Sequence, residues 1–121
     1  MTESERPGIQ ERSFAFAVRI IRLVRALPRD ISGHVVSRQI ARCGTSIGAN
    51  VEEAQAAQSK ADFARRMNIA RAEAKETLYW LRLLAESEMI GRSRIEELTT
   101  EADELVRILT AIVKTSRQQI E

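Results

Sequence analysis

The stretch GTSIGANVEEA, residues 44–54, lies inside a long segment whose apolar residues recur at helical spacing. Its two glycines, Gly44 and Gly48, each cost a helix interior roughly 1 kcal/mol relative to alanine, and Asn50 favours helix caps over helix middles. Small residues four positions apart allow the backbone of a second helix to come close. The stretch therefore predicts either a closely packed pair of helices or a break or kink near Gly44.

Helical patterns also extend on both sides of this segment. The sequence predicts four helices, over about residues 9–27, 34–58, 60–89 and 94–118. The last two are each preceded by a capping box, in which a serine caps the helix and an acidic residue follows three positions later. Ser59 with Asp62 forms the first box, and Ser93 with Glu96 forms the second.

The connections between these helices are short, and Pro28 and Gly33 bracket the first of them. Long helices joined by short connections pack as antiparallel neighbours. The predicted fold class is therefore all-α, an antiparallel up-down four-helix bundle. We expect residues 9–121 to form this single domain, preceded by a flexible N-terminal segment over residues 1–8.

The composition fits a helical protein with one core. Of 121 residues, 44% are hydrophobic and 30% are charged, and the alternation typical of strands is nearly absent. The formal net charge of +2 predicts no particular partner. Cys43 is the only cysteine, so no disulfide forms within the chain and a reducing compartment fits. With a polar N-terminus and no apolar run near ~18 residues, we expect a cytoplasmic protein with no membrane partner.

Residue types that perform catalysis or bind metals are scarce. His34 is the only histidine, so the Glu-x-x-His pairs of di-iron bundles are missing. Neither a phosphate-binding glycine loop nor a Cys/His metal spacing occurs. An enzyme would have to depend on Arg42, Glu53 and Glu76, which no nucleophile accompanies. We therefore expect no enzyme activity, no catalytic residue, no metal, no cofactor and no small-molecule substrate.

The first helix has an unusually broad apolar surface. Phe14, Val18 and Ile21 form one row, and the apolar arc continues around the helix to cover roughly 220°, about twice the ~100° that faces a single core. Part of it is either simply exposed to solvent or is an interface, as large apolar patches usually are. The sequence predicts an oligomer in which helix one is a main contact. The candidate interface residues are Phe16, Ile20, Leu23 and Leu27.

A polar row lies beside the apolar stripe of the second helix. Its members follow one another at spacings of three and four: Gln39, Arg42, Ser46, Asn50 and Glu53. Glu73 and Glu76 occupy a comparable flank of the third helix, so Arg42 can pair with Glu53 or Glu76. Polar groups at the margin of a core require partners. The row predicts either a hydrogen-bonded network that sets the register of the helices or a small binding groove.

At these residues the sequence resembles a known family. The string RQIARCGTSIGANVEEAQAAQSKADFARRMNIARAEAKETLYWLRLL, residues 38–84, is similar to the bacterial four-helix bundle proteins encoded in intervening sequences of 23S rRNA genes. ALPRDI, residues 26–31, resembles the exit from the family's first helix. Relatives often have proline where this chain has Gly48. The positions that carry the resemblance are Gln39, Arg42, Ser46, Ile47, Asn50, Glu53, Asp62, Phe63, Ala70 and Glu76.

The resemblance implies an antiparallel bundle that assembles as a ring-shaped homopentamer. A related branch comprises the accessory proteins of diversity-generating retroelements, which are basic pentamers that bind a reverse transcriptase and nucleic acid. None of the matched residues is implied to be catalytic.

Arginines are concentrated near the first helix. Residues 10–42 contain seven arginines and two acidic residues, a balance of +5. Arginine-rich surfaces attract phosphate backbones through counterion release. The other interpretation is a solvated face that acidic residues of helix four neutralise. The candidate nucleic-acid-binding residues, on one side of helix one, are Arg12, Arg19, Arg22, Arg25 and Arg29.

Together these patterns predict a non-catalytic, oligomeric scaffold that binds RNA or an RNA-handling enzyme through basic surfaces. The alternative is a protein-only assembly module that binds another protein and has no nucleic-acid role.

Overall fold

A computed structural model describes residues 7–120 as four α-helices, with no strand in that range. The helices are α1 (Ile9–Ala26), α2 (Ile31–Gln55), α3 (Lys60–Glu86) and α4 (Arg92–Ile120). The predicted all-α fold with four helices is therefore confirmed. Of the N-terminal segment predicted over residues 1–8, the first six residues lie outside the described part.

Each helix packs against its neighbours in the chain, and α1 packs against α4 to close the bundle. The α1–α4 pair has the sparsest packing of the four. Salt bridges join Arg12 to Glu101 and Arg19 to Glu97, so the two helices run in opposite directions. One apolar core lies between the helices.

Helix α2 begins three residues before its predicted start. The carboxylate of Asp30 accepts a hydrogen bond from the backbone N–H of Gly33 at 2.8 Å and so caps the helix. This bond, with a second from the Ser32 hydroxyl, lowers the pKa of Asp30. Gly33 is therefore inside the first helical turn rather than at its edge. A Cβ atom there would lie 1.8 Å from the carbonyl oxygen of Pro28, so only glycine fits without a backbone shift.

The two predicted capping boxes differ in outcome. Ser59 caps α3 as predicted, because its hydroxyl accepts a hydrogen bond from the backbone N–H of Asp62 at 3.0 Å. Ser93 does not cap α4, which already begins at Arg92. Because Arg94 donates its backbone N–H to the carbonyl oxygen of Gly91 at 3.1 Å, the first turn forms upstream of the serine.

The glycines of the central stretch lie against α1. A Cβ atom on Gly44 would lie 2.9 Å from two side-chain carbons of Ile20, and one on Gly48 would lie 3.3 Å from the backbone oxygen of Ser13. Helix α2 runs unbroken through both positions. Close packing between two helices is therefore the correct interpretation of this stretch, and the alternative of a break near Gly44 is wrong.

The prediction of interface residues on α1 is wrong. All four candidates are core residues of the single chain, at 5% exposure or less: Phe16, Ile20, Leu23 and Leu27. The large apolar residues that are exposed on this helix are instead Phe14 and Ile21, at 67% and 40%. Both sides of the helix are apolar, and the side with Ile20 faces inward because Gly44 leaves room for it.

Candidate nucleic-acid interface and interhelical polar network

The arginine nearest the start of α1 is held by acidic residues of α4. The Nε and Nη2 atoms of Arg12 donate to the two carboxylate oxygens of Glu101 at 3.1 and 2.6 Å. Nη2 also donates to Glu104 at 2.8 Å. The side chains of Arg12 and Glu101 are only 23% and 18% exposed. The hydrogen bond to Glu101 is the main cause that raises the pKa of Arg12. The guanidinium stays positively charged, and the two carboxylates beside it already neutralise that charge.

The next arginine is only loosely paired. The Nη2 atom of Arg19 lies 3.5 Å from a carboxylate oxygen of Glu97, at the upper limit of a hydrogen bond. Glu97 itself is largely exposed. Ion pairs of this kind contribute little to stability in water. Arg19 therefore remains available to an anionic ligand.

The remaining predicted arginines form a separate group, here called the outer arginines: Arg22, Arg25 and Arg29. All three are exposed, and within residues 7–120 they have no ion pair. Arg29 lies in the connection after α1, since that helix ends at Ala26. The predicted row of five is thus divided into neutralised and unneutralised members. The interpretation as a face neutralised by acidic residues of helix four holds for Arg12, and nucleic-acid binding by the others stays a prediction.

The polar row on α2 reaches α3 through one residue. The guanidinium of Arg42 donates to Glu76 and, at 3.3 Å, to Glu73. Gln39 accepts from the same guanidinium at 3.4 Å. The indole N–H of Trp80 donates to Glu76 at 3.1 Å. Arg42 thus pairs with Glu76, one of its two predicted partners, and the cluster links the two helices.

The other members of the row lie apart from this cluster. The amide nitrogen of Asn50 donates to the backbone oxygen of Ser46 at 2.9 Å and to its hydroxyl at 3.0 Å. Both bonds stay within α2, so the side-chain amide of Asn50 finds its acceptors one turn earlier in its own helix. Glu53 is exposed, and no bond joins it to the row in the described chain. The structure therefore favours a helix-linking network over a binding groove.

Cys43 is buried in the core beside this network. Burial raises the pKa of its thiol, which keeps the sulfur in its unreactive neutral form. Over residues 7–120, no three His, Cys, Asp or Glu residues are grouped as metal ligands. In the same part of the chain, no helix is both long enough and apolar enough to cross a membrane.

The sequence interpretation missed two residues that the structure places beside predicted ones. Trp80 joins the Arg42 cluster, and its Nε1–H at helical spacing from Glu76 was the available signal. Arg94 lies with Arg19 and Arg22 along a groove between α1 and α4. The signal for Arg94 was its place in the first turn of α4, where acidic residues are normally favoured.

The comparisons with known proteins agree with this architecture. A family described as "23S rRNA-intervening sequence protein" matches residues 7–111. A crystal structure of a protein of unknown function from the S23 ribosomal protein family of Bacteroides thetaiotaomicron is 45% identical, with a TM-score of 0.83. The match covers 88% of this chain and 99% of that one. No curated protein matches the sequence significantly.

The matched region includes the whole stretch GTSIGANVEEA, the Arg42 network and all the α1 arginines. On this evidence the chain belongs to the 23S rRNA-intervening sequence protein family.

Proposed function

We propose that this protein is a non-catalytic, cytoplasmic scaffold that binds RNA through the outer arginines. One observation carries the proposal: Arg22, Arg25 and Arg29 are exposed and have no ion pair within the described residues 7–120, whereas α4 neutralises Arg12. A surface with unneutralised arginines attracts a phosphate backbone and releases its counterions.

The proposed binding is independent of RNA sequence. The outer arginines have no aromatic residue among them on which bases could stack, and contacts to phosphates alone carry no sequence information. The affinity should therefore depend strongly on salt concentration and only weakly on the bases.

The double variant Arg25→Glu/Arg29→Glu tests this proposal. It should weaken binding of a labelled single-stranded RNA by about tenfold or more at low salt. It should also make the plot of log binding constant against log salt concentration less steep by about 1.4, since each of the two lost phosphate contacts contributes about 0.7 to that slope. Fluorescence anisotropy at several KCl concentrations measures both quantities. The matched control is Arg65→Glu/Arg107→Glu, an equal charge change at two exposed arginines of α3 and α4.

Equal losses in the two variants would mean that only the overall charge matters and would contradict a binding surface at the outer arginines. Affinity that does not change with salt would contradict phosphate recognition. If the wild type does not bind RNA at all, the alternative of a protein-only assembly module replaces this proposal.

We further propose that the scaffold is a ring-shaped homo-oligomer, a homopentamer as the family resemblance implies, whose contact is the exposed apolar face of α1. Phe14 and Ile21 lie on that face, and Tyr79 and Leu83 are exposed on α3, the diagonal helix of the bundle. Two apolar patches on different sides of one chain favour contact between unlike surfaces of neighbouring copies. Repeated contacts of this type close into a ring when the rotation permits.

The variant Phe14→Glu should disrupt this assembly without unfolding the chain, because it places a charge where a neighbouring copy would cover the phenyl side chain. Light scattering during size exclusion should show about 68 kDa for five wild-type chains of 13.7 kDa and a lower mass for the variant. Ile120→Glu, at an exposed apolar residue near the end of α4, is the control and should keep the wild-type mass. A wild-type peak near 13.7 kDa would exclude the oligomer.

A further inference from the structure

A small groove between α1 and α4 is lined by three arginines and two leucines: Arg19, Arg22, Leu23, Arg94 and Leu98. Its volume is about 170 Å³, below the roughly 300 Å³ at which pockets for drug-sized ligands begin. The groove has room for a compact anion and its first waters but not for a nucleotide base with its sugar.

The charge in this groove is unbalanced. No carboxylate lines it, and within residues 7–120 the one ion pair formed by its arginines joins Arg19 to the mostly exposed Glu97 at 3.5 Å. The first turn of α4 contains Arg92 and Arg94 and no acidic residue. Helix dipoles favour acidic residues in that turn, so positive side chains there reduce stability. An anion between the two helices would relieve this repulsion.

The residue type is suited to one kind of anion. Guanidinium groups donate paired, parallel hydrogen bonds that match the oxygens of a phosphate. Two of the three arginines, Arg22 and Arg94, are exposed and have no ion pair within residues 7–120. Three guanidinium groups around one small groove can therefore surround a single phosphate group.

We infer that this arginine groove binds one phosphate group of an RNA backbone between α1 and α4, with Arg94 as the residue contributed by α4. The inference rests on the proposed RNA-binding function and identifies a place where the strand is held. It also has a consequence for the fold. Because α1 and α4 form the most sparsely packed pair of neighbouring helices, a phosphate that contacts both should stabilise the bundle.

Thermal unfolding with two probes tests the groove. The first probe is inorganic phosphate compared with chloride at equal ionic strength, and the second is an RNA hexanucleotide without terminal phosphates. A ligand at about ten times its Kd should raise the Tm by about 5–6 °C for a chain of this size. Arg94→Gln should remove most of this shift. Arg107→Gln, an exposed arginine on the same helix, is the control and should retain it.

The comparison between variants separates binding from the general stabilisation that phosphate gives to folded proteins, since that effect acts equally on both variants. An Arg94-dependent shift with the hexanucleotide, with or without one from inorganic phosphate, supports the inference. A shift with inorganic phosphate alone would assign the groove to a free anion and overturn the RNA assignment. Equal shifts in all variants would overturn the site itself.

The two proposals fail in distinguishable ways. Arg25 and Arg29 do not line the groove, so their double variant tests RNA binding along the outer arginines. If that variant loses RNA affinity while Arg94→Gln behaves like the control, the groove inference is wrong and the proposed function stands. If the wild type does not bind RNA in the anisotropy experiment, the proposed function is wrong, and the groove inference, which rests on it, is wrong as well.

Discussion

Phe16→Ala should lower the free energy of unfolding by about 3–5 kcal/mol, the cost typical of removing a buried phenyl ring. Phe16 is 1% exposed and belongs to the core cluster of the single chain. Its loss removes apolar surface from the core and leaves a cavity that four rigid helices cannot easily fill. Urea denaturation followed by circular dichroism measures the change.

Phe14→Ala provides the matched control, because the same residue type lies two positions earlier at 67% exposure. In the dilute single chain it should change the free energy of unfolding by about 0.5 kcal/mol or less. Any larger cost should grow with protein concentration, since only assembly would cover that ring. If Phe14→Ala is as costly as Phe16→Ala at every concentration, the assignment of the two faces of α1 is wrong.

Gly44→Val should destabilise the protein by about 3 kcal/mol through overpacking. A Cβ atom added at this position would lie 2.9 Å from Cγ1 and Cγ2 of Ile20, which is fully buried. The two further methyl groups of valine add to this overlap, so α1 must shift away from α2. The better helix propensity of valine recovers only about 0.4 kcal/mol.

Ala49→Val is the control on the same helix, at an exposed position, and should cost no more than about 0.7 kcal/mol. The source of the strain can be tested with Ile20→Ala. In the wild-type background, Ile20→Ala should lower the free energy of unfolding by about 2–5 kcal/mol. In the Gly44→Val background the loss should be much smaller, because the substitution removes the atoms that collide with the valine. Equal costs in both backgrounds would show that the two residues are not coupled and would contradict the close approach.

Local features of the chain were sufficient to predict most of the architecture. The number of helices follows from apolar periodicity, and Ser59 caps α3 because the capping interaction involves residues only three positions apart. The pairing of Arg42 with Glu76 was also among the predicted partners, since each residue lies on the flank of its own apolar stripe. These predictions depend on neighbours in sequence or on one face of a helix.

The error on α1 has a clear cause, which is that a broad apolar helix surface does not reveal what covers it. Apolar residues surround much of α1, so the row with Phe16 and the row with Phe14 were equally plausible core faces. The contact between Ile20 and Gly44 selects the first row, and that contact joins two helices. The groove that brings Arg94 to Arg19 and Arg22 also depends on how α1 and α4 meet.

The sequence by itself determined four helices, their approximate bounds, the close-packing role of Gly44 as one of two outcomes, and the excess of arginine near α1. Only the tertiary structure decided which face of α1 is buried, and which arginine is neutralised by Glu101 and Glu104. The physical reason is the range of the interactions. Helix formation and capping act over three or four residues, whereas burial and ion pairing join residues about 90 positions apart, as between Arg12 and Glu101.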